Sequence, residues 1–120
     1  MAHYVDGFVL PVPKDKLGDY QEMSRKASEV WREYGALEYF ECVADDVQPG
    51  KLTSFPQAVL LEPHETVIFA WILYRSREER DAINAKVMAD PRLAGMSPET
   101  MPFDGKRMFW GGFRTIIESR

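Results

Sequence analysis

Thr66 to Tyr74 reads Thr-Val-Ile-Phe-Ala-Trp-Ile-Leu-Tyr, a run too short for an ordinary helix and dense in β-branched and aromatic residues, which predicts a strand. Successive strand side chains point to opposite faces, so Val67, Phe69, Trp71 and Leu73 share one face and Ile68, Ala70, Ile72 and Tyr74 the other. Neither set is polar. A strand apolar on both sides belongs in the middle of a sheet, with cover above and below. What the rest of the chain can lay over each face therefore decides the architecture.

The chain of 120 residues reads as one domain over 1–120, large enough to bury a core without disulfides or metal. With 45% hydrophobic and 28% charged residues it has the balance of a folded chain rather than a disordered one. A net charge of -4, with its fifteen Lys and Arg scattered, gives no basic field for phosphates, so no nucleic acid partner is expected. No apolar run approaches the ~20 residues of a membrane span, and the N-terminus lacks a secretion signal's layout, so no membrane partner is expected. Cys42 is the single cysteine and has no internal partner, which suits a reducing, cytoplasmic setting.

Three more strands, three helices and two one-turn helices are expected around the central strand. Tyr4 to Val12 alternates and is closed by Pro11 and Pro13, giving strand one. Leu17, Tyr20, Ser24, Ala27, Trp31 and Tyr34 recur at steps of three and four, predicting a helix from Lys14 to Tyr34 that Gly35 terminates. Leu37 to Ala44 forms a more polar strand two, suited to a sheet edge. After a loop at Asp45 to Ser54, Thr53 or Ser54 caps a short helix through Leu61 whose inner side carries Phe55, Ala58 and Val59. Strand three follows, then the capping box Ser76-Arg-Glu-Glu79 opens helix two, which Pro91 ends near Ala89. One-turn helices are expected at Pro91 to Gly95 and Pro98 to Met101, and a strand apolar on both faces at Lys106 to Ile117.

This order makes two βαβ units in tandem, and right-handed crossovers put both long helices on one side of a four-stranded antiparallel sheet. The fold class is α+β, a ferredoxin-like βαββαβ sandwich. Four strands at about 4.8 Å spacing span about 19 Å, which two helices about 10 Å across cover on one side only. The other face is left bare, a patch beyond the ~300 to 600 Å² usual on monomers. A homodimer with its sheets face to face, a dimeric α/β barrel, is the expected remedy.

The chain resembles the YbaA-like proteins, a bacterial family of unknown function, through Tyr4-Val-Asp-Gly-Phe-Val9, Tyr34-Gly-Ala-Leu37, Glu41-Cys42 with Asp45, and Phe69-Ala-Trp-Ile72. The likeness continues in Arg80-Asp81 with Asn84 and Lys86, in Asp90-Pro-Arg92, and in Met101-Pro-Phe-Asp-Gly-Lys-Arg-Met108 with Gly111-Gly-Phe113. It implies a dimeric α/β barrel like the small antibiotic-biosynthesis monooxygenases, and no established activity. By analogy with that superfamily, a ligand would sit between sheet and helices within each subunit.

Candidate chemistry is sparse. Asp6 lies mid-strand among apolar neighbours, so it must find a cation or take a proton; it is either a general base or ligand anchor, or half of a structural pair. Arg80 and Asn84 border the sheet-facing side of helix two and either reach a pocket or hold helix to sheet. Gly7 and Gly111-Gly112 leave a hollow for a ligand, or more readily for a bulky side chain such as Trp31 or Trp71. Asp104, Lys106 and Arg107 are either an anion site or solvated charges around a turn. Cys42 reads as a small core residue rather than a nucleophile, and His3 and His64 lack metal-ligand spacing.

Two functions remain in view. One is a small-molecule site lined by Asp6, Trp71, Tyr74, Arg80 and Asn84, with Arg107 as a further candidate contact, which binds a ligand or serves a monooxygenase-like enzyme that needs no cofactor. The other is a non-catalytic dimeric binding or interaction module in which the same residues only hold the fold.

Overall fold

The computed structural model describes residues 2–96 and 100–120. The sheet is built from β1 (Tyr4–Pro13), β2 (Glu38–Val43), β3 (Glu65–Tyr74) and β4 (Phe109–Arg114), in the order β2-β3-β1-β4 with every neighbour antiparallel. The class is α+β. The central strand runs in register with β1 over its whole length, Tyr4 opposite Tyr74 and Pro13 opposite Glu65. The more polar β2 lies at an edge.

Helix α1 (Leu17–Glu33) follows a single 3-10 turn at Lys14–Lys16, and α3 (Arg77–Met88) follows β3. Tyr20, Ser24, Ala27 and Val30 are the buried stripe of α1, and Arg80, Ile83 and Val87 that of α3. Both stripes meet the same sheet face. Val30, Ile83 and Val87 cluster with Ile72 and Tyr74, while Tyr20 joins Leu10, Val12, Ile68 and Ala70. Gly35 takes φ +118°, a region closed to most side chains, and so lets the chain turn from α1 into β2. The Ser76 hydroxyl accepts the Glu79 amide at 3.1 Å, starting α3. Only that half of the capping box forms: Glu79 Oε2 is buried without a hydrogen bond, 3.9 Å from Arg75.

The short helix α2 (Phe55–Ala58) is capped by Ser54, whose hydroxyl accepts the Gln57 amide at 3.2 Å. It stops before Leu61 because Leu60 takes φ +50°. Its position changes the coverage argument. Val59 packs with Val9 and Val67, on the face opposite α1 and α3, and Phe55 meets Phe69 edge to face at 5.9 Å. One end of the second face is thus covered by the chain itself. The remainder is not: Phe40, Phe69, Phe109 and Phe113 are 46%, 42%, 47% and 66% exposed on that side.

Strand four is shorter than the Lys106 to Ile117 run suggests. The Asp104 carboxylate accepts the Lys106 amide at 3.0 Å and folds Gly105–Arg107 into a 3-10 turn. At the other end the last bond to the β1 side is the Thr115 amide donating to the His3 carbonyl at 3.0 Å, and the Thr115 hydroxyl donates to Glu118 at 2.7 Å. The turn at Pro91–Leu93 is present, capped by Asp90, whereas the one expected at Pro98 to Met101 begins outside the described residues.

Candidate functional site

Between the sheet and helices α1 and α3 lies a cavity of about 430 Å³. Its walls are mostly apolar, with Phe8, Leu10, Ala70 and Trp110 from the sheet and Ala27 and Trp31 from α1. Met23, Met88, Met96, Met101 and Met108 also line it, five of the chain's six methionines. Unbranched thioether side chains adapt to irregular shapes, so such a wall suits an apolar ligand without imposing one outline. Among the described residues, no Lys, Arg or His lines the cavity.

Polar groups gather at two places in it. The first is centred on Asp6, 1% exposed, which accepts a hydrogen bond from Arg80 Nη1 at 3.0 Å. Burial raises the Asp6 carboxyl above its ordinary value, opposed by the Arg80 charge and by hydrogen bonds with Asn84 and Tyr74. The Asn84 side-chain oxygen accepts from Trp31 Nε1 at 3.1 Å and from the Tyr74 hydroxyl at 3.2 Å. The Tyr74 hydroxyl is pushed well above the usual phenol range by burial and by the Asp6 charge, so it remains a donor.

The second is centred on Glu41, which faces inward from β2. Its Oε1 accepts the Tyr20 hydroxyl at 2.7 Å, and its Oε2 accepts the Ser24 hydroxyl and, at 3.2 Å, the Tyr39 hydroxyl. Burial, then the Glu41 charge, raises both phenols well above their ordinary value and keeps their protons in place. The sequence carries half of the signal for this cluster. Tyr20 and Ser24 stand four apart on the buried stripe of α1, and Tyr39 and Glu41 two apart on one face of β2, so each pair shares a face and the crossing of α1 over β2 joins them.

The candidate residues read from the sequence are divided by the structure. Asp6, Tyr74 and Asn84 line the cavity, and Arg80 stands behind Asp6 with its guanidinium 5.0 Å from the Tyr4 ring. Trp71 does not belong with them. It pairs with Gly7 and Phe40 and stacks on Phe40 at 4.9 Å on the opposite face, as strand alternation from Tyr74 requires. Arg107 is likewise remote. Its guanidinium meets both oxygens of buried Glu65 at 2.6 Å, so the anion it holds is the chain's own. Arg107 hydrogen bonding holds the Glu65 carboxyl below its ordinary value.

The glycine hollow is two hollows. A Cβ on Gly112 would collide with the Tyr4 phenol, which fills the space in place of Trp31 or Trp71. A Cβ on Gly7, directly opposite Gly111, would meet nothing within 4 Å, so the bare face keeps an open notch there. Cys42 is exposed on that face and not in the core, because no layer lies over the edge strand. Glu62, His64 and Glu65 place ligand atoms within 4.8 Å of one another, but Arg107 occupies both oxygens of Glu65.

Several segments that carry the family resemblance hold the fold rather than the cavity. The Tyr34 hydroxyl donates to Asp90 at 2.7 Å, and Asp90 also accepts the Arg92 amide at 2.8 Å and its guanidinium at 2.9 Å. Arg92 reaches on to Glu33 at 2.7 Å, tying the end of α1 to the end of α3. The profile of the family described as "Protein of unknown function (DUF1428)" matches residues 3–105. The chain belongs to that family. The uncharacterized protein YbaA of Escherichia coli strain K12 is 54% identical over 115 residues, 96% of this chain and 97% of that one. YbaA of Shigella flexneri matches to the same extent, 54% over 115 residues. An uncharacterized NIPSNAP domain protein from Burkholderia xenovorans superposes with a TM-score of 0.52 over 97% of this chain and 95% of its own. At 11% identity that likeness shows the fold alone. No helix among the described residues is long and apolar enough to cross a membrane.

Proposed function

We propose that this member of the DUF1428 family is a small-molecule-binding protein whose ligand occupies the cavity between the sheet and helices α1 and α3. The cavity itself carries the reading: about 430 Å³ walled by aromatic and methionine side chains, with polar groups set at two points. Ligand pockets have this make-up, a mostly apolar enclosure with a few placed polar groups. In this reading the subunit is a ferredoxin-like sandwich and works as a homodimer, paired through the bare sheet face as a dimeric α/β barrel. The support is the exposed Phe40, Phe69, Phe109 and Phe113 on a face that α2 covers at one end only. The compartment we assign is the cytoplasm, which suits the lone Cys42. Catalysis of the monooxygenase type without a bound cofactor would use the same cavity.

A thermal-shift screen of apolar metabolites tests the reading. Ala27 lines the cavity from α1, so Ala27→Phe fills it. Ligands at about 100 times their Kd should stabilise the wild type by about 2.7 kcal/mol and leave the filled variant unshifted. Equal shifts in both proteins would overturn it. The Asp6–Arg80 pair favours a second reading, a non-catalytic dimeric module, because those two groups already satisfy each other; that reading expects no shift in either protein.

A further inference from the structure

The two carboxylates of the cavity are not balanced alike. Asp6 has a cation of the chain's own at 3.0 Å, whereas among the described residues Glu41 has only hydroxyl donors, from Tyr20, Ser24 and Tyr39. Three neutral donors orient an anion and leave its charge uncompensated, and no Lys, Arg or His among the described residues lines the cavity to supply the difference. A carboxylate offers roughly four acceptor positions, so with one bond on Oε1 and two on Oε2 the free one lies on Oε1.

Resting on the small-molecule reading above, we infer that the ligand is an apolar molecule bearing a protonated amine, seated with its ammonium against Glu41. The surroundings suit that group. Trp31 and Tyr39 lie 5.9 Å apart with their rings tilted by 51°, and Phe103 and Tyr20 meet edge to face at 5.7 Å, so each phenol that holds the carboxylate is backed by a second ring of the cavity lining. Ring faces attract cations. The methionine and aliphatic walls then take the apolar body. A carboxylate or phosphate ligand would instead meet an anion across a medium of low dielectric, with no cation in the lining to offset the repulsion. Specificity here comes as much from that rejection as from the attraction.

An isosteric series separates the charges without any variant: tryptamine, tryptophol and indoleacetate, each titrated calorimetrically into the full chain. Tryptamine should bind about 10-fold or more tighter than tryptophol, the ratio expected of one hydrogen bond to a charged group, and indoleacetate weakest. In Glu41→Gln, which keeps the side chain's shape, tryptamine should fall to within about 3-fold of tryptophol. Glu118→Gln, outside the cavity, should leave the series unchanged. Binding of tryptophol or indoleacetate as tight as tryptamine in the wild type would overturn the inference while leaving the small-molecule site standing. Silence from all three, together with an empty thermal-shift screen, would overturn both.

Discussion

The two faces of the sheet are made by the same four strands and meet opposite fates. On the inner face every inward polar group named above has a partner within the chain: Asp6 has Arg80, Asn84 has Trp31 and Tyr74, and Glu41 has three hydroxyls. On the outer face the side chains are aromatic and largely uncovered, except where α2 brings Val59 onto Val9 and Val67. Polar burial needs particular partners at particular distances, which two helices at fixed register can supply. Apolar burial needs only area, which a second molecule supplies as well as the chain does. The inner face thus fixes its polar groups partner by partner, whereas the outer face leaves apolar area uncovered beyond the reach of α2.

The largest effect expected is on the inner face. Arg80→Ala leaves Asp6 buried beside no cation and should cost about 3 to 5 kcal/mol of unfolding free energy in urea, with the association state unchanged at equal concentration. A change in sedimentation without that loss would undo the division between faces. Next comes Phe113→Asp on the outer face, which places a charge at each side of a two-fold contact. It should weaken association by about 2 kcal/mol or more and yield a 13.8 kDa particle by sedimentation, with ligand binding in the cavity intact. A wild type that is already a 13.8 kDa particle at micromolar concentration would remove the proposed dimer altogether.

The smallest effect sharpens the comparison at its seam. Glu65 shares the outer row of β3 yet is 4% exposed, because Arg107 and the α2 end of the sheet cover it. Its carboxyl sits below the ordinary 4.5, so the pairing stabilises the fold above about that pH and loses its contribution as pH falls through the depressed value. Glu65→Gln should therefore lose about 1 to 2 kcal/mol at neutral pH by urea titration, a deficit that shrinks in acid. Asp6 runs the other way. Its carboxyl is raised, so relative to Asp6→Asn the wild type gains stability as pH falls.

Much of the fold was legible because its signals are local. The periodicity of α1, the Ser54 and Ser76 caps, the turn at Gly35 and the break before Pro91 each depend on neighbours within a few residues, and each stands where the pattern puts it. The site is less legible, because its residues come from separate elements. Asp6, Tyr74 and Asn84 meet at the cavity, but Trp71, three positions from Tyr74, falls on the other face by strand alternation. The Glu41 cluster is half legible: the spacings put Tyr20 with Ser24 on one face of α1 and Tyr39 with Glu41 on one face of β2, and the crossing of helix over strand sets one pair above the other. Nothing local marks Arg107 as paired, because Glu65, its partner, is 42 positions away.

By itself the sequence determined the elements, their order, the two-sided apolarity of β3 and the shortage of helix to cover it, since all of these follow from period, caps and counted widths along one line of residues. Tertiary structure alone decided which carboxylate obtained a cation, which glycine hollow was filled, and that α2 would lie on the far face. Those outcomes depend on distances between segments remote in the chain, where an ångström separates a hydrogen bond from none.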